Sequence, residues 1–162
     1  MSEEVKVSVK NLTKSFGDLL VLNDISFDVK DHEFLCIVGP TGCGKTTFLN
    51  SLTKLYDIDA GTITLGGQPI DPKKQNIAYI FQEYSTMEWL TVEENIGYGL
   101  RIKHVDPAII KERVANVMEI VGLTKYANYY PRQLSASMLQ RVVIARAFAV
   151  EPELLLMDEP YG

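Results

Sequence analysis

The sequence predicts an α/β fold in which a buried strand runs into a glycine-rich loop and the loop runs into a helix. Three observations carry this. Phe34–Val38 is apolar at every position, which suits a strand of a parallel sheet buried on both faces. Gly39-Pro40-Thr41-Gly42-Cys43-Gly44-Lys45-Thr46 follows at once and fits the pattern G-x-x-x-x-G-K-[ST]. Leu154–Met157 is a second continuous apolar run, and it ends in two acids, Asp158 and Glu159.

The remaining elements are read in chain order. Val5, Val7 and Val9 alternate with Lys6, Ser8 and Lys10, as on a half-buried strand. Ile25, Phe27 and Val29 alternate likewise after a turn-like Asn23-Asp24, so the chain is expected to open with an antiparallel β element. Thr46–Lys54 reads as the helix after the loop, with short strands near Thr62–Leu65 and Asn76–Phe81. Thr91-Val92-Glu93-Glu94 has the form of a capping box and starts a helix toward Arg101. Asp106-Pro107 supplies an N-cap and a first-turn proline for the next helix. Ile109, Ile110, Val114, Val117, Met118 and Val121 stripe that helix for packing, and Gly122 ends it. A last helix spans Ser135 to about Ala149, broken by Glu151-Pro152 before the Leu154 strand.

Composition bounds the function. A chain of 162 residues with 46% hydrophobic side chains can bury a core, and its length suits one domain. The net charge of −5 offers no basic field for a polyanion, which disfavours nucleic acid as the main partner. Two cysteines, Cys36 and Cys43, form neither a zinc pattern nor a disulfide framework and fit a reduced, cytosolic compartment. The acidic start, Met1-Ser2-Glu3-Glu4, lacks the pattern of a secretory signal. No apolar run approaches the roughly 20 residues that span a bilayer, so a membrane role is expected to be peripheral, through a partner.

The loop chemistry is specific. Glycines let the backbone turn tightly and aim N–H groups at phosphate oxygens, and the following helix adds the positive end of its dipole. Within Gly39–Thr47, Lys45 is expected to reach the outer phosphates of a nucleoside triphosphate and the Thr46 hydroxyl to complete a Mg²⁺ shell. Cys43 lies beside the helix N-terminus, where a thiol pKa could be lowered; a small loop residue is the plain alternative. A buried strand such as Leu154–Met157 delivers Asp158 to Mg²⁺ and Glu159 to an attacking water as general base.

Together these residues resemble the nucleotide-binding subunit of an ATP-binding cassette (ABC) transporter. Gly39–Thr47 matches its Walker A motif and Leu154–Glu159 its Walker B motif. Ile80-Phe81-Gln82-Glu83 matches the Q-loop, whose glutamine contacts Mg²⁺ and senses the membrane partner. Leu134-Ser135-Ala136-Ser137-Met138-Leu139-Gln140-Arg141 stands where the family has its signature. Phe16, in Lys14-Ser15-Phe16-Gly17, falls where the family's A-loop stacks an aromatic ring on adenine; a core side chain is the alternative.

The resemblance implies a P-loop NTPase (RecA-like) core, with the antiparallel β element at its N-terminus and an inserted helical subdomain. It divides the chain into residues 1–82, β element and core; 83–140, Q-loop, helices and signature; and 141–162, the return to the core. It implies ATP and Mg²⁺ as cofactors, and a homodimer or paired cassette in which Ser135 acts in trans. It also implies an integral membrane permease, a solute-binding protein, and a place on the cytoplasmic side of the cell membrane. Trp89-Leu90-Thr91-Val92 and Met138 resemble importers of nitrate, sulfonates and taurine.

Two departures from the family stand out. Ala136 and Ser137 replace the signature's two glycines, and Leu139 replaces a glutamine. The sequence also stops soon after Asp158-Glu159-Pro160, and His32 and His104 come too early to serve as the family's later histidine. The chain is therefore read as the N-terminal part of a cassette, its C-terminal core missing, expected to bind nucleotide poorly and hydrolyse it negligibly alone. Competing classes are a soluble ABC ATPase acting on DNA or ribosomes and a non-catalytic scaffold. The segment between Gln82 and Ser135 carries no coiled-coil heptads, against the first; intact Lys45, Thr46, Asp158 and Glu159 argue against the second.

Overall fold

A computed structural model describes residues 4–159. Met1–Glu3 at the acidic start, and Pro160–Gly162 after the two acids, lie outside the described residues. The chain forms two compact units, residues 1–75 and 76–162.

In the first unit, β1 (Val5–Phe16) and β2 (Leu19–Lys30) make a long hairpin. β3 (Ala60–Leu65) and β4 (Gln68–Pro69) complete an antiparallel sheet of order β2-β1-β3-β4. The expected alternation is present, with Val7 and Val9 buried and their neighbours less so. The hairpin turns at Gly17-Asp18, between Phe16 and Leu19. Asn23-Asp24, expected as the turn, instead lies inside β2, where a left-handed Asp24 accompanies a shift in register against β1. Asn11, also left-handed, donates its amide to Asp24 Oδ1 at 2.7 Å, so a pair of short polar side chains stabilises the irregularity on both strands. Helix α1 (Lys45–Leu52) lies against the sheet through Phe48, whose ring is 5.5 Å from that of Phe27.

One expectation fails in this unit. Phe34–Val38 is not a strand, and Phe34 and Val38 are 78% and 88% exposed. An apolar run becomes a two-sided buried strand only when neighbours supply ladder bonds along its length. Among the described residues no strand pairs with it.

The second unit combines helices with a parallel pair of strands. β5 (Ile77–Ile80) and β6 (Leu154–Met157) pair in register from Ile77–Leu154 to Ile80–Met157. β6 was expected to be fully buried; only Leu156 is, because a two-stranded sheet covers fewer side chains than a wide one. Among the described residues three α-helices accompany the strands: α2 (Val92–Ile102), α3 (Pro107–Ile120) and α4 (Ala136–Ala149). Of the α3 stripe, Val114 and Met118 are buried, Ile110, Val117 and Val121 pack at the margin, and Ile109 is exposed.

Helix α4 has apolar residues on two sides because both are used. Val142, Ala145 and Ala149 join the core of α2 and α3, while Val143 and Ala147 pack with Ala78 and Ile80 of β5. Each predicted start signal operates. Thr91 and Glu94 form a complete capping box on α2, Asp106 accepts from the Ala108 N–H with Pro107 in the first turn of α3, and Ser135 caps α4. No helix of the described residues is long and apolar enough to cross a membrane.

Two tests follow from this packing. A Cβ on Gly61, at φ 95°, would sit 2.5 Å from the carbonyl oxygens of both Asn11 and Lys10. Gly61→Ala should therefore destabilise the first unit by about 2–4 kcal/mol in urea denaturation, the sum of strain and overpacking. Hydrogen bonds from the Thr91 backbone N–H, then from its hydroxyl, hold the Glu94 carboxyl below the usual glutamate range. A depressed folded pKa gives stability that is complete above the unfolded value and lost as pH falls through the folded one. Glu94→Gln should thus flatten the acid limb of the stability–pH curve.

Candidate functional site

In the first unit the glycine-rich loop is formed and leads directly into α1. Gly44 is the N-cap, at φ 99° and ψ 7°, with no side-chain cap on the helix. The first-turn N–H groups are thus not claimed by a capping side chain. Gly42 is also left-handed, at φ 83°. At Gly44 a Cβ would lie 3.1 Å from both Leu22 Cδ2 and Val21 Cγ1, a tight approach that adds to a backbone conformation favouring glycine. A Cβ on Gly39 would meet Cys43 Sγ at 2.6 Å, which makes Cys43 a filler of the loop. Both cysteines are free and exposed. Lys45 turns inward and donates from Nζ to the carbonyls of Gly39 at 2.8 Å and Pro40 at 3.2 Å. Pro40, Thr41 and Thr46 are exposed, while Thr47 is half-buried.

Phe16, at the end of β1, is 44% exposed, which removes the core reading. Its ring meets Tyr56 edge-on at 5.3 Å, and the Lys14 ammonium lies 5.1 Å from the ring centroid. Lys14 is in turn 3.3 Å from Asp59. The Ser15 N–H, then Lys14, hold the Asp59 carboxyl below its usual range, outweighing the opposing effect of burial.

In the second unit the β5–β6 pairing brings three predicted residues together. Asp158 N–H donates to the Ile80 carbonyl at 2.9 Å, extending the ladder one step past β6. The Asp158 side chain is buried, at 5% exposure, and accepts from the Tyr79 hydroxyl at 3.4 Å. Gln82 donates from Nε2 to Glu159 Oε2 at 3.0 Å, both residues being exposed. Glu159 has φ 45°, a left-handed conformation that a non-glycine residue adopts at a cost.

Ser135 is the N-cap of α4, accepting from the Met138 N–H at 3.4 Å, and its hydroxyl is 3.1 Å from that of Ser137. Ala136 and Ser137 occupy the first turn. Trp89 is 76% exposed in the segment between β5 and α2.

Three residues were missed in the sequence reading. Tyr79 touches Asp158, a contact that only the strand register reveals. Asn95 is wholly buried and ties the segment before α2 through four hydrogen bonds with Met87, Leu90 and Thr91. Arg146, on α4, donates from Nη1 to the Ser85 carbonyl at 2.7 Å and from Nη2 to the Ser85 hydroxyl at 2.6 Å, and burial pushes its guanidinium below its usual pKa. A signal was available for the last two, since each is a polar residue at an apolar-face position of a helix.

The ABC transporter family profile matches residues 22–162. The chain belongs to the ABC transporter family. As a member it carries the ATP-binding domain of that family, whose fold is that of a P-loop NTPase. It is 40% identical, over 98% of its length, to the sulfate/thiosulfate import ATP-binding protein CysA of Synechocystis sp., of which it covers 45%. It is 43% identical, over its full length, to the spermidine/putrescine import ATP-binding protein PotA of Acetivibrio thermocellus, covering 47%. A plant relative, the sulfate/thiosulfate import ATP-binding protein of Cucumis sativus, is 38% identical over 98% of the chain. The chain thus spans about half the length of the curated relatives it matches.

The residues fit ATP and Mg²⁺ by donor chemistry. Taken unit by unit, Thr46 of the first offers a hydroxyl, and Gln82 and Asp158 of the second offer an amide oxygen and a carboxylate, hard oxygens of the kind that suit Mg²⁺. The Asp158 carboxylate is buried, and the Tyr79 hydroxyl from which it accepts stands at a long 3.4 Å, which leaves acceptor capacity compatible with a cation.

Proposed function

We propose that this chain is the ATP-binding and catalytic part of a subunit that energises solute import through a membrane permease. The observation that carries the reading is the loop Gly39–Gly44 delivered onto an uncapped helix N-terminus, with the Lys45 ammonium already turned into it. Phosphate oxygens would replace the Gly39 and Pro40 carbonyls as acceptors of Lys45, and the loop's backbone N–H groups would take the rest of the charge. Thr46, Gln82 and Asp158 would hold Mg²⁺, which neutralises charge on the phosphates in the transition state. Glu159 would take a proton from the attacking water, and its bond with Gln82 holds the two groups in reach of one another. Phe16, backed by Tyr56 and Lys14, would stack on the base.

Ser135, at the N-terminus of α4, would face the outer phosphate bound by a second cassette, so the working unit is a pair. The permease would meet the exposed Trp89 with the cassette on the cytoplasmic side of the cell membrane, and a solute-binding protein would complete the system. For cargo we favour a small oxyanion of the nitrate, sulfonate or taurine type. Relatives named for sulfate and thiosulfate support an oxyanion, while one named for polyamines supports a cation. Uptake of labelled sulfonate, sulfate and spermidine by cells with and without the gene would choose among them.

The natural full-length protein tests the chemistry. Lys45→Ala should weaken nucleotide binding by about tenfold or more in calorimetry. Glu159→Gln should leave binding intact and lower kcat by about 10²-fold or more in a phosphate-release assay. Full turnover in Glu159→Gln would remove the general-base assignment.

A second reading, a slow or non-catalytic cassette, is favoured by the Ser135–Ser137 hydroxyl contact, which two glycines could not make. Ala136→Gly with Ser137→Gly should raise turnover of the full-length protein severalfold, about 1 kcal/mol of recovered phosphate contact. An unchanged rate would show that the replacements cost nothing.

A further inference from the structure

The segment from Gln82 to Thr91 joins β5 to α2 without regular structure, yet two side chains from the helices pin it. Asn95 holds the far end, at Met87, Leu90 and Thr91. Arg146 holds the near end, spending both arms of its guanidinium on one residue, Ser85. Those bonds, at 2.7 and 2.6 Å, are short and nearly parallel in purpose: one fixes the backbone, the other the side chain. No ion pair accompanies Arg146 among the described residues, so no carboxylate offsets the cost of taking this cation from water. A neutral apolar residue would fill the helix face without that cost. What Arg146 adds is a fixed position for a loop three residues beyond Gln82.

The helix that carries Arg146 is itself fixed against the strand from which Gln82 emerges, since Val143 and Ala147 pack with Ala78 and Ile80. Arg146 therefore closes a loop of contacts running from β5 through α4 to Ser85. Gln82, two residues past β5 and three before Ser85, meets Glu159 at 3.0 Å.

We propose that Arg146 is a positioning residue that, through Ser85, sets the Gln82 side chain against Glu159 and so governs hydrolysis without touching nucleotide. This rests on the assignment of Gln82 and Glu159 to catalysis made above.

The test uses the natural full-length protein with Arg146→Lys, which keeps the charge and loses the fork, and Ser85→Ala, which removes one arm alone. Arg146→Lys should lower kcat about tenfold or more, with KM for ATP within about twofold, since the phosphate loop is untouched. Amide hydrogen exchange at residues 83–87 should quicken at least about tenfold, with exchange along α4 unchanged. Ser85→Ala should act in the same direction with about a threefold loss in kcat. Unchanged exchange at 83–87 in Arg146→Lys would overturn the proposal, as would faster exchange with unaltered kcat. If Arg146→Lys does not fold, Ser85→Ala decides alone, and wild-type exchange and kcat there overturn it. Glu159→Gln is run in parallel: full turnover in that variant means that the catalytic assignment has failed and this inference falls with it, whereas lost turnover there with intact Arg146→Lys kcat means that this inference alone has failed.

Discussion

The parallel register of β5 on β6 is the constraint on which the second unit's chemistry depends. Pairing Ile80 with Met157, and then Asp158 N–H with the Ile80 carbonyl, puts the residues just past both strand ends side by side. Side chains alternate along a strand, so Asp158, one step past β6, shares the face of Leu156 and is buried, while the next residue, Glu159, is exposed. A slip of one residue would exchange these environments and separate Gln82 from Glu159. The left-handed backbone at Glu159 costs about 1–3 kcal/mol, and it lies at the residue that Gln82 contacts.

Helix α4 converts that local register into a body. Its two buried sides follow from spacing, Val142, Ala145 and Ala149 on one and Val143 and Ala147 on the other. Alanine at three of those five positions lets backbone approach from both directions, which larger residues would prevent. The same helix presents Ser135 at its N-terminus and Arg146 near its C-terminus. Arg146 on so apolar a helix has its donors satisfied by Ser85, through two hydrogen bonds to neutral oxygens that no carboxylate among the described residues reinforces.

Local signals in the sequence were read well because they are local. Thr91, Asp106 and Ser135 cap helices through bonds to residues two or three positions on, and a short motif contains everything needed to infer them. The glycine loop is legible for the same reason, since its left-handed glycines and the helix after it are one continuous segment. Readings that need a distant partner fared worse. Phe34–Val38 has the composition of a buried strand, but composition cannot supply ladder bonds, and the run is exposed. Asn23-Asp24 has turn chemistry, yet the strand β1 opposite, through Asn11, absorbs the same left-handed geometry as an irregularity within a longer hairpin. Tyr79 and Arg146 touch residues far away in sequence, Asp158 and Ser85; Arg146 stands out as a charge on an apolar helix face, but no short-range pattern announces its partner or that of Tyr79.

The start of α4 shows how one replacement can oppose another. Ser137 brings a second hydroxyl to the helix N-terminus, a donor of the kind a phosphate accepts. That hydroxyl is 3.1 Å from Ser135 Oγ, and Ser135 Oγ already accepts from the Met138 N–H, so the added group is committed to the cap itself. Sterically, each Cα–Cβ bond of a helix tilts toward its N-terminus, and the side chain of Ala136 therefore projects into the space from which an anion approaches. Glycine at that position leaves the first-turn N–H groups open to contact at hydrogen-bonding distance; a methyl group holds a phosphate oxygen farther off, where charge-assisted bonds weaken steeply. The committed hydroxyl cannot compensate for a longer approach, so the balance at this helix end is set by the methyl of Ala136 more than by the polarity of Ser137.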